Sequence, residues 1–170
     1  FVPKLVNFVL YQAVKMNASD IHLEQSDARV VVRVRKDGQL IPLPHIPIDK
    51  ENILRVLTKI KLDSKMDITE RRRPQDGSFR KRFGEGKPID FRVAVQPTVH
   101  GENAVIRVLD RTRPLPTLTE IGFSKEVLPR YLRLIDNPQG LILFTGPTGS
   151  GKTTSLYSTL EVIRRAPLKI

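Results

Sequence analysis

The residues with the clearest chemical meaning form a glycine-rich run, GPTGSGKT, at positions 146–153. The run has the spacing G-x-x-x-x-G-K-[ST], and it lies between an apolar stretch at 141–144 and a helical pattern at 152–165. Its glycines would let successive backbone N–H groups curl around an anion, and the N-terminus of a helix adds further unpaired donors. The run therefore predicts a site for the phosphates of a nucleotide.

Within this site, we expect Lys152 to reach the β- and γ-phosphates as a point charge. We expect the Thr153 hydroxyl to complete the coordination of a Mg²⁺ ion that arrives with the nucleotide. The predicted nucleotide-binding residues are Gly146, Pro147, Thr148, Gly149, Ser150, Gly151, Lys152, Thr153 and Thr154. The alternative is a strand-to-helix turn that binds nothing, in which Lys152 would have no role.

Hydrolysis needs more than this run, because an acidic residue at the end of a neighbouring strand must hold the metal and another group must position water. No apolar strand ending in Asp follows Thr153 in the sequence. We therefore expect these 170 residues to hold the phosphate half of a nucleotide site without its catalytic half.

Composition excludes several classes of protein. With 39% hydrophobic and 28% charged residues, the chain is expected to fold. It has no cysteine and only three histidines, so disulfides, thiolate chemistry and metal sites built from protein ligands are not expected. No apolar run approaches the ~18 residues of a membrane-spanning helix and no signal peptide is visible, which favours a cytosolic chain. The net charge of +11 suggests anionic partners.

The residues before 110 predict a unit of helices and antiparallel strands. Apolar residues at helical spacing predict an opening helix, and they are Leu5, Val6, Val9, Leu10, Ala13 and Val14. Alternation from 28 to 35, the Asp37-Gly38 turn and residues 39–41 predict a β-hairpin. A second helix is expected from Ile53 to Ile60 with Asp49 as its N-cap, and strands are expected at 78–83, 89–95 and 104–108.

A proline-containing stretch, RTRPLPTLT at 111–119, is the best candidate for a stiff linker. Beyond it, the pattern predicts a helix at about 124–135, a strand at 141–144, the glycine-rich turn and a helix at about 152–165, which is α/β order. We therefore predict an α+β domain at 1–110, a linker at 111–119 and the start of an α/β domain at 120–170.

Several segments resemble, in order, those of the secretion-superfamily ATPases of type II secretion and type IV pilus assembly. They are ASDIHLE at 18–24, RPQDG at 73–77, DFRV at 90–93, PTVHGE at 97–102, RVLD at 107–110 and GLILFTGPTGSGKTTSLY at 140–157. The match is closer to the assembly branch than to the pilus-retraction branch.

This resemblance implies a PAS-like N-terminal domain followed by the truncated start of a RecA-like P-loop domain, with ATP and Mg²⁺ as cofactors. It also implies a homo-oligomer, a hexameric ring, in the cytoplasm. That ring would associate peripherally with the inner membrane through platform and docking proteins, and it would hydrolyse ATP to power type II protein secretion or type IV pilus assembly.

The resemblance further implies that arginines of the N-terminal domain contact the nucleotide phosphates, and Arg92 matches one such position. As a residue on a strand, Arg92 should project away from the core. The family commonly has arginine directly after PQDG, where this chain has Ser78, and Arg80 is a candidate substitute.

Other interpretations stay open. The basic residues at 71–73 and 80–82 suggest a nucleic-acid-stimulated NTPase, although such charge runs are usually solvated and few aromatic residues accompany them, so nucleic acid is not expected as a partner. A non-enzymatic docking or regulatory module is a third hypothesis. For Glu102 and His22, the simpler expectations are a loop-side ion pair and a polar strand residue.

Overall fold

The computed structural model describes residues 1–44, 46–110, 114–147 and 150–164. The chain divides into two compact units, Phe1–Thr112 and Arg113–Ile170. The mixed α+β prediction for the first unit is confirmed. The PAS-like and RecA-like labels, and the domain bounds 1–110, 111–119 and 120–170, stay predictions.

The first unit combines two helices with one six-stranded antiparallel sheet. Its elements are α1 (Val2–Lys15), β1 (Asp20–Gln25), β2 (Val30–Lys36), β3 (Gln39–Pro42), α2 (Ile53–Asp63), β4 (Gln75–Lys81), β5 (Ile89–Thr98) and β6 (Gly101–Leu109). The strand order is β3-β2-β1-β6-β5-β4. The hairpin β2–β3 and the pair β4–β5 are therefore joined in space by the central strands β1 and β6.

One face of the sheet and the two helices form the core. Helix α1 buries Leu5, Val6, Val9, Leu10 and Ala13, as its spacing predicted. These side chains pack in one cluster with those of α2 and with alternate residues of the strands, among them Ile21, Leu23, Val34, Phe91, Val93, Val95 and Ile106. Because side chains alternate across a strand, the intervening residues lie on the opposite face of the sheet.

The predicted β-hairpin is confirmed. Lys36 pairs with Gln39, and the two residues between them have positive φ, 49° at Asp37 and 82° at Gly38. That combination is the one that a two-residue hairpin turn requires.

Asp49 caps the turn that leads into α2 rather than the first assigned residue of the helix. Its Oδ1 accepts hydrogen bonds from the N–H groups of Glu51, at 3.0 Å, and Asn52, at 2.9 Å. The assigned N-cap is Asn52, whose side chain makes no capping bond to the helix. Asp49 therefore caps the chain as predicted, but one turn before the first assigned residue of α2.

The described part of the second unit contains two helices, α3 (Val127–Ile135) and α4 (Lys152–Arg164). Both lie where the sequence predicted helices, and the predicted residue 165 lies outside the described residues. The predicted strand at 141–144 is wrong, since no strand is assigned there and Leu141 and Leu143 are 82% and 74% exposed. A strand needs a neighbour for its backbone hydrogen bonds, and the described residues of this unit offer none.

Candidate functional site

The glycine-rich turn leads directly into α4, as the motif requires. Gly146 has φ +150°, and a Cβ atom there would lie 2.6 Å from Ser150 Oγ, so only glycine fits without a shift. Gly151, the residue before the helix, has φ +87°, which is in the left-handed region that favours glycine. The Ser155 N–H donates to Gly151 O at 2.8 Å and so starts the helical hydrogen bonds. Thr148 and Gly149 lie outside the described residues.

Lys152 is the first residue of α4, and its side chain lies over the turn. Its Nζ donates hydrogen bonds to Gly146 O, at 2.8 Å, and Pro147 O, at 2.6 Å. The lysine therefore has partners within the loop itself, a role that the sequence interpretation did not foresee. These two bonds hold the ammonium group against the backbone of Gly146 and Pro147.

The start of α4 suits a negatively charged ligand. The first four N–H groups of an α-helix have no partner inside the helix, and the helix dipole is positive at this end. No acidic residue lies in the first turn of α4. Thr153 and Thr154 are exposed, so a hydroxyl that could ligate Mg²⁺ is accessible. These features fit a nucleotide phosphate and its metal.

In the first unit, Arg92 lies on the face of the sheet that the helices leave uncovered. It is exposed, and its side chain makes no hydrogen bond or ion pair with any residue that the structure describes. It lines two surface grooves, of about 270 Å³ and about 560 Å³. As predicted, its side chain projects away from the core.

Arg92 belongs to a row of register partners that crosses five strands. From β2 to β4 the row reads Arg35, Asp20, Arg107, Arg92 and Ser78. Cross-strand partners lie on the same face of a sheet, so three arginines line up around a single acid. Sequence reasoning did not single out Arg107 or Asp20 as functional. The sequence pattern does indicate the position of Arg107, since alternation with the apolar residues Ala104 and Ile106 places it on the opposite face of the strand.

Asp20 holds the arginines next to it in place. It is 7% exposed and accepts hydrogen bonds from Arg107 Nε, at 3.0 Å, and from Ser19 Oγ, at 2.8 Å. Arg35 Nε lies 3.7 Å from Asp20 Oδ2, the oxygen that accepts the hydrogen bond from Ser19. One carboxylate thus serves two guanidinium groups.

Arg80, the candidate substitute for an arginine at position 78, is held by Asp90. Its Nε and Nη2 donate to the two carboxylate oxygens at 2.6 and 3.3 Å. This pairing, together with the charge of Asp90, raises the pKa of Arg80 above its usual range. Arg80 is therefore engaged within the sheet, whereas Arg92 is not.

The basic residues that suggested nucleic acid do not form a single surface. Residues 71–73 precede β4 (Gln75–Lys81), whereas residues 80 and 81 lie at the far end of this strand and residue 82 follows it. At about 3.4 Å per residue, the two groups lie roughly 20 Å apart along the strand. That separation argues against one continuous basic patch.

His22 and Glu102 both take structural places. His22 lies on β1, as the polar strand residue that was expected, and its Nε2 is buried without a described partner. Burial is the main cause that lowers the pKa of His22. Glu102 forms an ion pair with Lys61, but the pair is buried rather than loop-side.

In its fold, the chain is similar to two solved structures. It matches the crystal structure of the ATPase DotB of Legionella pneumophila with a TM-score of 0.67 at 19% identity, covering 96% of this chain and 43% of that chain. It also matches the crystal structure of the pilus retraction motor PilT with bound ADP, with a TM-score of 0.53 at 28% identity, covering 91% of this chain and 42% of that chain.

The chain belongs to the family described as "Type II/IV secretion system protein", whose sequence model matches residues 1–170. It is 42% identical over 169 residues to the type II secretion system protein E of Xanthomonas campestris pv. campestris. It is 44% identical over 160 residues to the type IV pilus assembly ATPase PilB of Myxococcus xanthus. These matches cover 99% and 94% of this chain but only 29% and 28% of the two relatives. The resemblance seen in the sequence is confirmed.

No helix among the described residues is long and apolar enough to span a membrane.

Proposed function

We propose that the complete protein binds ATP with Mg²⁺ at residues 146–154 and hydrolyses it to power type II protein secretion or type IV pilus assembly. One observation carries this proposal. In a chain of the secretion family, Lys152 Nζ lies over the glycine-rich turn, 2.8 Å from Gly146 O, at the start of α4. The lysine, the turn and the helix N-terminus together form a cradle for phosphate.

Each residue of the cradle has a separate task. The glycines allow the backbone amides to approach the phosphates, and Lys152 exchanges its carbonyl partners for β- and γ-phosphate oxygens. Mg²⁺, ligated by the Thr153 hydroxyl, would neutralise charge that develops on the phosphates. The names of the relatives support the nucleotide, since one is an ATPase and a similar solved structure contains ADP.

Arg92 is the residue of the first unit that we propose as a phosphate contact. Its guanidinium is exposed and uncommitted among the described residues, whereas Arg80 is paired with Asp90 and Arg107 with Asp20. A free guanidinium can bind a phosphate oxygen without first breaking an ion pair. Arg92 is therefore better suited than Arg80 to contact a phosphate, and the second contact, which the family makes from position 78, has no equally uncommitted candidate in Arg80.

The larger assembly is also a proposal, because the chain spans less than a third of its relatives. We propose a PAS-like domain at 1–110, a linker at 111–119 and the start of a RecA-like domain at 120–170. The complete protein would form a hexameric ring in the cytoplasm, held at the inner membrane by platform and docking proteins. ATP would favour one arrangement of the two domains over another, so that its hydrolysis drives movement.

The test is Lys152→Ala in the complete protein, with Lys125→Ala as the matched control. Lys125 is an exposed lysine of the same unit. We expect Lys152→Ala to reduce ATP turnover at least about a hundredfold and the control to leave it unchanged. Equal ATPase activity and equal nucleotide affinity in the wild type and Lys152→Ala would refute the proposal.

The two rival functions make different predictions. A nucleic-acid-stimulated NTPase should bind DNA or RNA with an affinity that falls steeply as salt rises. A docking or regulatory module should show no turnover even as the complete protein. ATP turnover that needs Lys152 and does not respond to nucleic acid would exclude both.

A further inference from the structure

Helix α4, which begins at the candidate nucleotide site, also binds the chain segment that enters the second unit. Ser158, on α4, donates a hydrogen bond from its Oγ to Pro116 O at 2.6 Å. Ser158 is 2% exposed, so its side of this bond is shielded from water. Pro116 follows the boundary between the two units by only a few residues.

The bond between these two residues is specific. A serine inside a helix commonly bonds the carbonyl four residues before it. Thr159, its neighbour, does so, with Oγ1 at 2.7 Å from Ser155 O. Ser158 instead uses its hydroxyl outside the helix. Proline has no N–H, so the carbonyl is the only backbone group through which Pro116 can be held by a hydrogen bond.

The residues that follow Pro116 form a small folded turn. Glu120 Oε2 accepts hydrogen bonds from the Thr117 N–H, at 2.7 Å, and the Thr117 hydroxyl, at 2.8 Å. The N–H groups of Glu120 and Ile121 donate back to Thr117 O. Leu118 is 4% exposed. Because these bonds join residues 117–121 to one another, the bond from Ser158 to Pro116 O restrains the whole turn and not only the Pro116 carbonyl.

The same helix carries the groups that a phosphate would engage. Ser158 lies six residues after Lys152, about 9 Å along the helix axis. Lys152 Nζ is bonded to Gly146 O and Pro147 O. A phosphate would compete with these carbonyls for the ammonium group, so nucleotide binding changes the contacts that fix the first turn of α4.

We infer that Ser158 is a positioning residue that couples nucleotide binding to the segment 116–121. This inference rests on the proposed function, and it adds a route by which occupancy of the cradle reaches the first residues of the second unit. The bond ties the turn at 116–121 to α4. A change in the position of α4 is therefore passed to Pro116, and the coupling is reciprocal.

The test is amide hydrogen exchange in the complete protein, with and without ATP, for the wild type, Ser158→Ala and the control Ser155→Ala. Ser155 lies on the same helix and its hydroxyl makes no bond among the described residues. In the wild type and the control, ATP should slow the exchange of the Glu120 and Ile121 amides. In Ser158→Ala, these amides should exchange about fivefold faster and no longer respond to ATP.

Nucleotide affinity, measured in parallel by titration with a fluorescent ATP analogue, separates the two proposals. If the wild type does not bind the analogue, the proposed nucleotide site and the coupling role of Ser158 both fail. If it binds the analogue but ATP leaves exchange at 120 and 121 unchanged, the coupling role alone is refuted, and this result does not depend on the variant folding. An ATP response in Ser158→Ala equal to that of the wild type would also refute it.

Discussion

Lys61 Nζ lies 2.5 Å from Glu102 Oε1, and the two residues are 1% and 6% exposed. The same ammonium group donates to Glu70 O at 2.7 Å. One buried lysine therefore joins α2, the start of β6 and the loop that leads into β4. This loop carries the arginines at 71–73 and leads into the PQDG segment at the start of β4, so the pair fixes the shape of the chain that enters this strand.

Replacing Lys61 with methionine should strongly destabilise the protein. The variant leaves the Glu102 carboxylate buried without its ion-pair partner, a loss that typically costs about 3–5 kcal/mol. The measurement is the free energy of unfolding from urea titration. Adding Glu102→Gln to the variant should recover part of the loss, because the uncompensated charge is removed.

The matched control for Lys61 is Lys59→Met on the same helix. Lys59 is paired with Asp63, but the two side chains are 30% and 22% exposed. Partly exposed pairs contribute about 0–1 kcal/mol, so this variant should remain near wild-type stability. Equal losses in the two variants would contradict the structural role assigned to Lys61.

Arg92→Ala and Arg80→Ala should differ in their effects on ATP turnover by the complete protein. We expect the Arg92 variant to lose at least about tenfold in kcat/KM, since the variant would remove from a phosphate a guanidinium that no described residue binds. Arg80→Ala should lose less, because that side chain is already paired with Asp90. A larger loss in the Arg80 variant would transfer the phosphate role to Arg80.

Gly77 should tolerate no side chain. A Cβ atom at this position would lie 2.5 Å from Ser64 O and 3.0 Å from Met66 Cε. Gly77→Ala must therefore displace the end of α2, at a cost of about 1–3 kcal/mol in unfolding free energy. The adjacent exposed residue provides the control, and Ser78→Ala should stay within about 0.5 kcal/mol of the wild type.

Stability should fall between neutral and mildly acidic pH, and His22 should contribute to the fall. Burial lowers the pKa of His22 below its ordinary value of about 6.5. As the pH drops below that value, the unfolded chain takes up a proton that the folded chain does not yet accept, so folding becomes less favourable.

The His22 contribution is present above pH ~6.5 and is lost as the pH falls through the lowered pKa. Urea unfolding at pH 7.5 and 5.5 measures it, and His22→Gln should show a smaller difference between the two conditions. If the free energy of unfolding of His22→Gln differs between the two pH values as much as that of the wild type, His22 does not titrate as expected. Four charged neighbours act on the same group, namely Glu24, Arg35, Asp20 and Arg33.

Local patterns determined much of this protein. The helical spacing in α1, the Asp37-Gly38 turn and the alternation in β5 each predicted an element that the structure contains. The glycine-lysine run likewise indicated a turn that opens a helix, and Lys152 begins α4. These features can be predicted from the sequence because neighbouring residues alone determine them, through side-chain periodicity and backbone conformation.

Pairings between distant residues were decided by the tertiary structure alone. The predicted strand at 141–144 is apolar, yet it is not a strand, because strand formation requires a partner that no local pattern supplies. Arg92 lies beside Arg107 only through the register of β5 and β6, and Lys61 reaches Glu102 across 41 residues of sequence. Ser158 likewise finds Pro116 only after α4 has packed. Such contacts depend on which elements meet and in what register, and sequence spacing does not contain that information.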